Sequence, residues 1–185
     1  MKNKGTVRLE TERLILRKFT IDDIEDSFRN WTNDERVTRF LRWMPHKDVA
    51  VTRKVICSWI SEYEKDDFYQ WAIVEKKSGM VVGVISSVGS NEKLESIHIG
   101  YALGYEWWNK GYVTEALHEV IRFFFEEVGA NRIESQHDPE NIGSGKVMLK
   151  CGMKYEGTLR DADWSNRGIV DAATYSILRR EYLHK

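Results

Sequence analysis

The sequence has little of what builds disulfide frameworks, membrane spans or strongly charged binding surfaces. Its two cysteines, Cys57 and Cys151, are too few and too far apart for a disulfide framework or a cysteine metal site. No apolar run approaches the ~20 residues of a membrane-spanning helix, and the amino terminus lacks the hydrophobic segment of a signal peptide. With 28 basic and 29 acidic residues the net charge is −1, which gives no reason to expect nonspecific nucleic-acid binding. We therefore predict a cytoplasmic protein with no metal, no membrane partner and no direct nucleic-acid partner.

Several familiar site motifs are also missing, and no shift in composition divides the chain. There is no G-x-G-x-x-G dinucleotide fingerprint, and the segment GSGKV lacks both the first glycine and the Ser or Thr of a P-loop. The segment HEVIR fails the zinc-protease pattern because Arg122 stands where the second histidine belongs. The 185 residues are 42% hydrophobic and 31% charged, without a repeat or a Pro/Gly-rich linker, so we predict one domain spanning 1–185.

What the chain does contain is a regular alternation of strand and helix patterns. In order, these are a strand in TVRLETERLILRKF, a helix from Thr20, a helical stretch from Asp34 to about Lys65 in which Pro45 separates an earlier short helix from the rest, two strands flanking Lys77-Ser78-Gly79, a strand in ESIHIGYAL, a helix from Tyr112 to Gly129, a strand in NRIESQHD, a short helix in NIGSGKVMLKCG and two strands around DWSNRGIVD. An antiparallel meander followed by a β-α-β-α-β run indicates a mixed α/β domain.

The strand in ESIHIGYAL contains a glycine, which is unusual inside a strand. Alternation places Ile97 and Ile99 on one face and His98 and Ala102 on the other. Gly100 between them predicts either a bulge or a close approach of another group to the backbone.

A second glycine stands in WWNKGYVTEAL, where a helix is about to begin. The first backbone N–H groups of a helix have no acceptor, and together with the helix dipole they form a ready site for phosphate. Gly111 would let the backbone approach a phosphate without a Cβ in the way. The alternative is that Gly111 makes a turn and nothing more.

The run IGYALGYEWWNKGYVTEALHEVIRFFFEEVGANRIESQHDPENIGSGKVMLKCGMKYEGTLR resembles the GNAT acetyltransferase superfamily, and within it the RimJ/RimL branch of protein N-terminal acetyltransferases. The resemblance extends from ETERLILRKF to the closing TYSILRREY. It implies a single-domain α/β GNAT fold, with a mixed, mostly antiparallel central sheet flanked by helices and a V-shaped cofactor cleft.

The resemblance also implies that acetyl-CoA is the co-substrate. The superfamily's pyrophosphate loop, Gln/Arg-x-x-Gly-x-Gly/Ala, falls on residues 108–113, where Gly111 matches while Trp108 and Val113 depart from it. Backbone N–H groups would hold the pyrophosphate, and the bulged strand before this loop would pair with the pantetheine arm. The cofactor-binding residues implied in these two segments are Tyr101, Ala102, Leu103, Trp108, Asn109, Lys110, Gly111, Tyr112, Val113 and Thr114.

The segment PENIGSGKVMLKCGM resembles the family's second cofactor segment, which is Asn-x-x-Ser followed by a helix that ends Lys-x-Gly-Phe. The matching residues are Asn141, Ser144, Lys150 and Gly152. Asn141 would bind the pantetheine amide, or cap the helix. Met148 occupies the position of the tyrosine that serves as general acid in many members, which leaves Ser144 to protonate or hydrogen-bond the leaving thiolate.

The implied chemistry is attack of an amine on a thioester, which needs a proton acceptor and a donor for the oxyanion. A strand N–H near Tyr101 or Ala102 would be that donor. His98 is the main candidate base because an imidazole titrates near neutrality. The alternatives are a histidine with no role on a half-exposed strand face, a water chain without a dedicated base, and the weaker candidate bases Glu95, Glu140 and His137.

Aromatic residues in RFLRWMPHKD and DADWSNRG are the candidates for acceptor binding, chiefly Trp43 and Trp164. By branch resemblance the acceptor is a protein N-terminal α-amine, as in a ribosomal protein. Two alternatives stay open. One is a small-molecule amine such as a polyamine or aminoglycoside, for which acidic residues are available at Asp22, Asp23, Glu25 and Asp26. The other is a catalytically silent CoA-binding regulatory module. Exposed strand edges are compatible with a homodimer.

Overall fold

The computed structural model describes residues 1–184. The strands are β1 (Leu9–Glu10), β2 (Leu14–Arg17), β3 (Gln70–Glu75), β4 (Val81–Asn91), β5 (Ser96–Leu103), β6 (Arg132–His137), β7 (Lys154–Ser165) and β8 (Gly168–Leu178). The helices are α1 (Ile24–Ser27), α2 (Glu35–Thr38), α3 (Val49–Glu62), α4 (Tyr112–Phe123), α5 (Ile142–Lys150) and α6 (Arg179–Tyr182). No helix within these residues is long and apolar enough to cross a membrane.

All the strands form one sheet in the order β1-β2-β3-β4-β5-β6-β8-β7, in which only β5 and β6 are parallel neighbours. Those two strands pair from Ser96 to His98 and then diverge. At the point of divergence the Ser135 hydroxyl donates to the Ile99 carbonyl at 2.8 Å, in place of a backbone bond. The predicted mixed, mostly antiparallel sheet with a V-shaped cleft is therefore confirmed.

Each face of the sheet carries its own apolar core. Helix α4 and its continuation pack Phe123 and Phe124 against Trp71 of β3, with all three side chains at 0% exposure. On the opposite face, Trp31 and Ile56 from the helical region pack over β3 and β4. Full burial of one such side chain stabilises the fold by roughly 1.5–3 kcal/mol. The two cores hold β5 firmly between them up to the point where it opens the cleft.

The predicted bulge lies on the neighbouring strand rather than in β5. The register between β4 and β5 shifts between Ser87 and Gly89, so the extra residue is Val88 of β4. A Cβ on Gly100 would lie 2.9 Å from Val88 Cγ1. The glycine is needed because the bulged side chain crosses over it, so the close-approach alternative is right and the prediction of a bulged β5 is wrong.

The amino-terminal region differs in detail from the prediction. The first strand is broken into β1 and β2, while the helical stretch from Asp34 to about Lys65 is divided around Pro45, as expected, into α2 and α3. Each begins at an aspartate that accepts a backbone N–H, Asp34 from Arg36 at 2.9 Å and Asp48 from Val51 at 3.1 Å. The segment between them, around Pro45, follows neither pattern and lies over the cleft.

Candidate active site

Two cavities meet where β5 and β6 diverge. One, of about 440 Å³, lies between the N-terminal ends of α4 and α5, and we call it the helix-end cavity. The other, of about 510 Å³, is lined by Trp31, Trp43, Trp59 and Trp164, and we call it the tryptophan cavity. The residues that line both are Phe40, Leu41, Tyr101, Ala102, Asn141 and Ser144. Two substrates bound on opposite sides would meet at this junction.

The residues proposed from the sequence divide between the two cavities. Those that line the helix-end cavity are Tyr101, Ala102, Leu103, Trp108, Asn109, Gly111, Tyr112, Val113, Thr114, Asn141, Ser144 and Lys150. His98, Trp43 and Trp164 line the tryptophan cavity. Lys110 lines neither cavity, and its carbonyl instead accepts from Arg13 Nη1 at 2.9 Å.

The turn before α4 presents a run of unused backbone donors. Asn109 and Gly111 both have positive φ, 59° and 80°, and Gly111 is the N-cap residue of α4. Among residues 1–184, no backbone or side-chain acceptor takes the N–H groups from Asn109 to Thr114. Alternating left- and right-handed residues turn successive N–H groups toward one side and create an anion-binding concavity. The geometry fits the pyrophosphate site expected here.

An arginine from the lead into β2 holds this turn in place. Arg13 donates from Nη1 to the Lys110 carbonyl and from Nε to Glu115 at 2.7 Å, and it stacks 4.5 Å from the Tyr112 ring centre. Thr11 donates to the same carboxylate at 2.5 Å. Because Glu115 lies in the first turn of α4, these contacts fix the helix end against the sheet edge. No motif in the sequence had pointed to Arg13.

Trp108, the first departure from the family's loop pattern, has a defined position. Its indole N–H donates to the Leu103 carbonyl at 2.8 Å, so it ties the turn to the end of β5. Its ring also packs against Tyr105 with ring centres 5.1 Å apart. Val113, the second departure, lies in the first turn of α4 and lines the helix-end cavity. The substitutions leave the backbone donors of this turn available.

At the start of α5, Asn141 is the N-cap residue, and its side-chain oxygen accepts the Ser144 N–H at 3.3 Å. Within the described residues the Asn141 amide nitrogen and the Ser144 hydroxyl have no partner, although both residues line both cavities. Lys146, which the sequence reasoning missed, lines the helix-end cavity together with Lys150. These two ammonium groups favour an anionic ligand.

The glycines of α5 have different surroundings. Gly145 is buried, and a Cβ there would lie 2.8 Å from His137 Nε2 and 3.3 Å from the Tyr175 hydroxyl. Gly143 is exposed and lines the helix-end cavity, and its added Cβ would only meet Asn141 Oδ1 at 3.6 Å. The tight packing of α5 is therefore against the protein at Gly145, whereas Gly143 faces the cavity.

Tyr101 is positioned by both its backbone and its phenol. Because Ile99 directs its carbonyl toward β6, strand alternation directs the N–H and C=O of Tyr101 into the gap beyond the last β5–β6 pair. The phenol donates to the Ser144 carbonyl at 3.1 Å. Burial raises the pKa of Tyr101 well above its usual value, so the hydroxyl stays protonated and holds the first turn of α5.

His98 lies on the wall of the tryptophan cavity with no hydrogen-bond partner among residues 1–184. Burial lowers the pKa of the imidazole, opposed by the charges of Glu134 and Asp163 and reinforced by that of Arg42. The ring is therefore neutral at pH 7 and able to accept a proton.

The weaker candidate bases have other contacts. Glu95, in the loop before β5, contacts the amino-terminal nitrogen at 3.4 Å and lines neither cavity. Glu140 pairs with Arg167 at 2.9 Å. His137 bonds the Asp138 carbonyl through Nδ1 at 2.7 Å, and its Nε2 is buried against α5.

The segment from Thr38 to His46 and the β7–β8 hairpin close over the tryptophan cavity, and together we call them the roof. Asn166 donates its side-chain amide to the carbonyls of Thr38 and Trp43, both at 2.9 Å. Arg42 pairs with Asp163 at 2.6 Å. Burial opposes ionisation of Asp163, but hydrogen bonds from the Trp164 backbone, Arg42 and Gln136 outweigh it and lower the pKa of that carboxyl.

The acidic residues considered for a polycationic acceptor lie elsewhere. Asp22, Asp23, Glu25 and Asp26 line neither cavity, and Asp23 pairs with Arg17 at 2.7 Å. Across residues 1–184, no cluster of three or more His, Cys, Asp or Glu side chains is arranged to hold a metal ion.

Comparison with known proteins agrees with this geometry. The model of the acetyltransferase (GNAT) domain family matches residues 13–154. The N-acetyltransferase p20 of Bacillus licheniformis is 31% identical over 94% of this chain and 97% of its own length. The Escherichia coli [ribosomal protein uS5]-alanine N-acetyltransferase is 27% identical over 86% of this chain and 84% of its own. A GNAT-family acetyltransferase structure from Bacillus anthracis superposes with a TM-score of 0.83 at 25% identity, covering 95% of this chain and all of that one. The chain therefore belongs to the GNAT acetyltransferase family and is an N-acetyltransferase of that type.

Proposed function

We propose that this enzyme transfers the acetyl group of acetyl-CoA to the N-terminal α-amine of a protein or peptide, with the donor in the helix-end cavity and the acceptor in the tryptophan cavity. The observation that carries the proposal is the junction of the two cavities at Tyr101, Ala102, Asn141 and Ser144. GNAT enzymes use acetyl-CoA, and one relative of this chain is named for acetylating an alanine of ribosomal protein uS5.

The residues of the helix-end cavity fit the anionic and amide parts of the donor. The unused N–H groups from Asn109 to Thr114 would hold the pyrophosphate, with Lys146 and Lys150 contributing positive charge. The backbone of Tyr101 and the free amide nitrogen of Asn141 would bind the amides of the pantetheine arm. When bound, acetyl-CoA supplies an acetyl group activated as a thioester.

His98 of the tryptophan cavity and two junction residues, Tyr101 and Ser144, would move protons and stabilise charge. His98 would take the proton of the incoming ammonium group, directly or through a water, because its imidazole is neutral at pH 7. The Tyr101 N–H would donate to the carbonyl oxygen as negative charge develops there. The Ser144 hydroxyl, which has no partner among residues 1–184, would hydrogen-bond the departing sulfur.

The neutral character of the junction favours an α-amine over a more basic one. An α-amino group has a pKa of about 7.7–8.0, against about 10.4 for a lysine side chain. A neutral imidazole with a lowered pKa accepts a proton more readily from the ammonium form of an α-amine than from the ammonium form of a more basic amine. The acidic groups that a polyamine or aminoglycoside would need are not on either cavity wall, apart from Asp138, Asp163 and Glu140, each of which is paired with an arginine.

The test is free-thiol release from acetyl-CoA in the presence of N-terminal peptides, N-acetylated control peptides with a free lysine, spermidine and an aminoglycoside. We expect release with free α-amines and none with the blocked peptides. Preference for spermidine or the aminoglycoside would replace the proposed acceptor with a small-molecule amine. Calorimetric binding of CoA without thiol release from any acceptor would instead identify a regulatory CoA-binding module.

A further inference from the structure

Two polar side chains, from neighbouring strands of the sheet, line the tryptophan cavity without protein partners. Gln70 of β3 and Ser86 of β4 are directly paired in the sheet register, and Ser86 is in turn paired with Gly100 of β5. Each is 8% exposed, and both line the tryptophan cavity. Gln70 is hydrogen-bonded through its backbone, to Tyr63 and Thr6, and in the described chain neither its side-chain amide nor the Ser86 hydroxyl makes a hydrogen bond. We call this pair the polar floor.

An amide and a hydroxyl that line a cavity without protein partners are satisfied by water or by a ligand. Displacing that water with a group that offers no compensating hydrogen bond is unfavourable. Natural proteins therefore pair almost all buried polar groups with protein, water or ligand. Because both side chains line a cavity rather than a packed core, a ligand or water has room to satisfy them.

The walls around the polar floor are bulky and apolar. They are formed by Trp31 and Trp59 from the helical region and by Val55 and Val84. His46, nearby on the wall, bonds Thr52 through Nδ1 at 2.8 Å, and burial lowers its pKa, so it is neutral at pH 7. A group that fills this space must be large, with an apolar body.

Over the described part of the chain, the tryptophan cavity offers no unpaired charged side chain that could bind an ion. The charged residues on the cavity wall are Arg42, Asp138 and Asp163, and all are committed to ion pairs, Arg42 with Asp163 and Asp138 with Arg167, each at 2.6 Å. A side-chain ammonium or carboxylate next to Gln70 and Ser86 would lose its hydration without gaining a counter-ion. The polar end that fits is therefore uncharged.

We propose that the polar floor selects the acceptor, favouring an amine whose adjacent side chain is large, uncharged and ends in a hydroxyl or amide, as tyrosine does. This inference rests on the proposed function, because it places the acceptor in the tryptophan cavity. The Gln70 amide offers both a donor and an acceptor, and the Ser86 hydroxyl offers both as well. Together they complement a phenol and leave the isosteric benzyl group with two unmet polar contacts.

The test compares two tetrapeptide amides that differ only at the first residue, Tyr-Ala-Ala-Ala and Phe-Ala-Ala-Ala. We expect wild-type kcat/KM for the tyrosine peptide to exceed that for the phenylalanine peptide by about tenfold or more, since sites built to bond a hydroxyl reject analogues without one. Gln70→Leu and Ser86→Ala are expected to bring this ratio close to one. Ser87→Ala is the matched control, because Ser87 is the next residue on β4 and lines neither cavity.

A second measurement separates this inference from the proposed function. Binding of N-acetyl-tyrosinamide and N-acetyl-phenylalaninamide can be followed by tryptophan fluorescence, because four tryptophans line the cavity. Turnover without a tyrosine preference, or a preference that survives both Gln70→Leu and Ser86→Ala, would overturn the selection. If no peptide is acetylated yet the tyrosine ligand binds more tightly in a Gln70-dependent way, the proposed reaction fails while the selection holds. Equal binding of the two ligands in the absence of turnover would refute both.

Discussion

In the proposed donor site, Gly111 has a backbone conformation that few other residues adopt. Its φ of 80° lies in the left-handed region, and it caps the helix whose first N–H groups face the helix-end cavity. A non-glycine residue in that conformation costs roughly 1–2 kcal/mol. An added Cβ would also lie 3.4 Å from Arg13 Nη2, in the contact that holds the turn.

Gly111→Ala is therefore expected to raise the KM for acetyl-CoA by about tenfold, with little change in the KM for the acceptor. Gly129→Ala is the matched control, because Gly129 has the same φ of 80°, has open space around it and lies at the far end of the α4 segment. Steady-state kinetics with both variants separates local strain in the turn before α4 from a general loss of stability. Equal effects of the two substitutions on the acetyl-CoA KM would contradict the role assigned to Gly111.

His98 sets the second prediction at this scale, which concerns pH. Burial holds its pKa below the ordinary 6.5, so the neutral base is present above that range and is lost as pH falls through the lowered pKa. With wild-type enzyme and saturating substrates, kcat should stay high down to mildly acidic pH. In His98→Ala only amine that is already deprotonated reacts, so the acid limb should move up toward about 7.7–8.0, the pKa of an α-amine. Superimposable profiles for the two proteins would remove His98 from the mechanism.

At the scale of elements, α5 depends on one glycine for its position. Gly145→Ala would force a Cβ to within 2.8 Å of His137 Nε2, which is backed by Tyr175 with ring centres 5.5 Å apart. Thermal unfolding should show a lower Tm for this variant, since overpacking costs about 1–3 kcal/mol. Gly143→Ala should instead keep or raise the Tm, because its site is open and alanine is favoured over glycine in a helix by ~1 kcal/mol. A higher Tm for Gly145→Ala than for Gly143→Ala would rule out the packing described.

Most elements could be predicted from the sequence because their patterns are long and have clear ends. The α4 segment has an uninterrupted apolar stripe and is closed by Gly129, and Asn141 and Gly152 bracket α5 as the motif suggests. The bulge was placed on the wrong strand because Gly100 is the residue that accommodates it, while Val88 in the partner strand carries no signal in a single sequence.

The grouping of the candidate donor-site residues around one cavity could be predicted in the same way, because most of these residues lie near the start of α4 or of α5. The acceptor site could not be predicted to the same extent. Its walls come from segments distant in the chain, and Gln70 and Ser86 become neighbours only through strand register. Arg13 was missed for a similar reason, because its partner Glu115 lies 102 residues away. Sequence spacing alone does not encode such pairings.

For the molecule as a whole, the roof decides how the tryptophan cavity, the proposed acceptor site, is closed. Asn166→Ala removes the two hydrogen bonds that the side-chain amide donates to the Thr38 and Trp43 carbonyls, and each such bond contributes about 0.5–1.5 kcal/mol to stability. Asn166→Asp should be worse, since a carboxylate would face the same two carbonyl oxygens. We expect a several-fold rise in the acceptor KM, larger for Asp than for Ala, with a smaller change in the acetyl-CoA KM. An unchanged acceptor KM in both variants would show that the roof does not shape that cavity.

The roof also has a consequence for the order of assembly. Asn166 and Thr38 are 128 positions apart, so their contact closes a loop of more than half of the 185-residue chain. A contact between residues so far apart in the sequence requires a loss of chain entropy before any favourable interaction offsets it, and this slows its formation. The backbone of the turn before α4 and of α5 is local in the chain, and the longest contact that holds this turn, from Arg13 to Glu115, spans a shorter 102 positions. During refolding, the ability to bind acetyl-CoA should therefore return before the ability to bind the acceptor. A sample taken early in refolding would then bind acetyl-CoA without transferring its acetyl group.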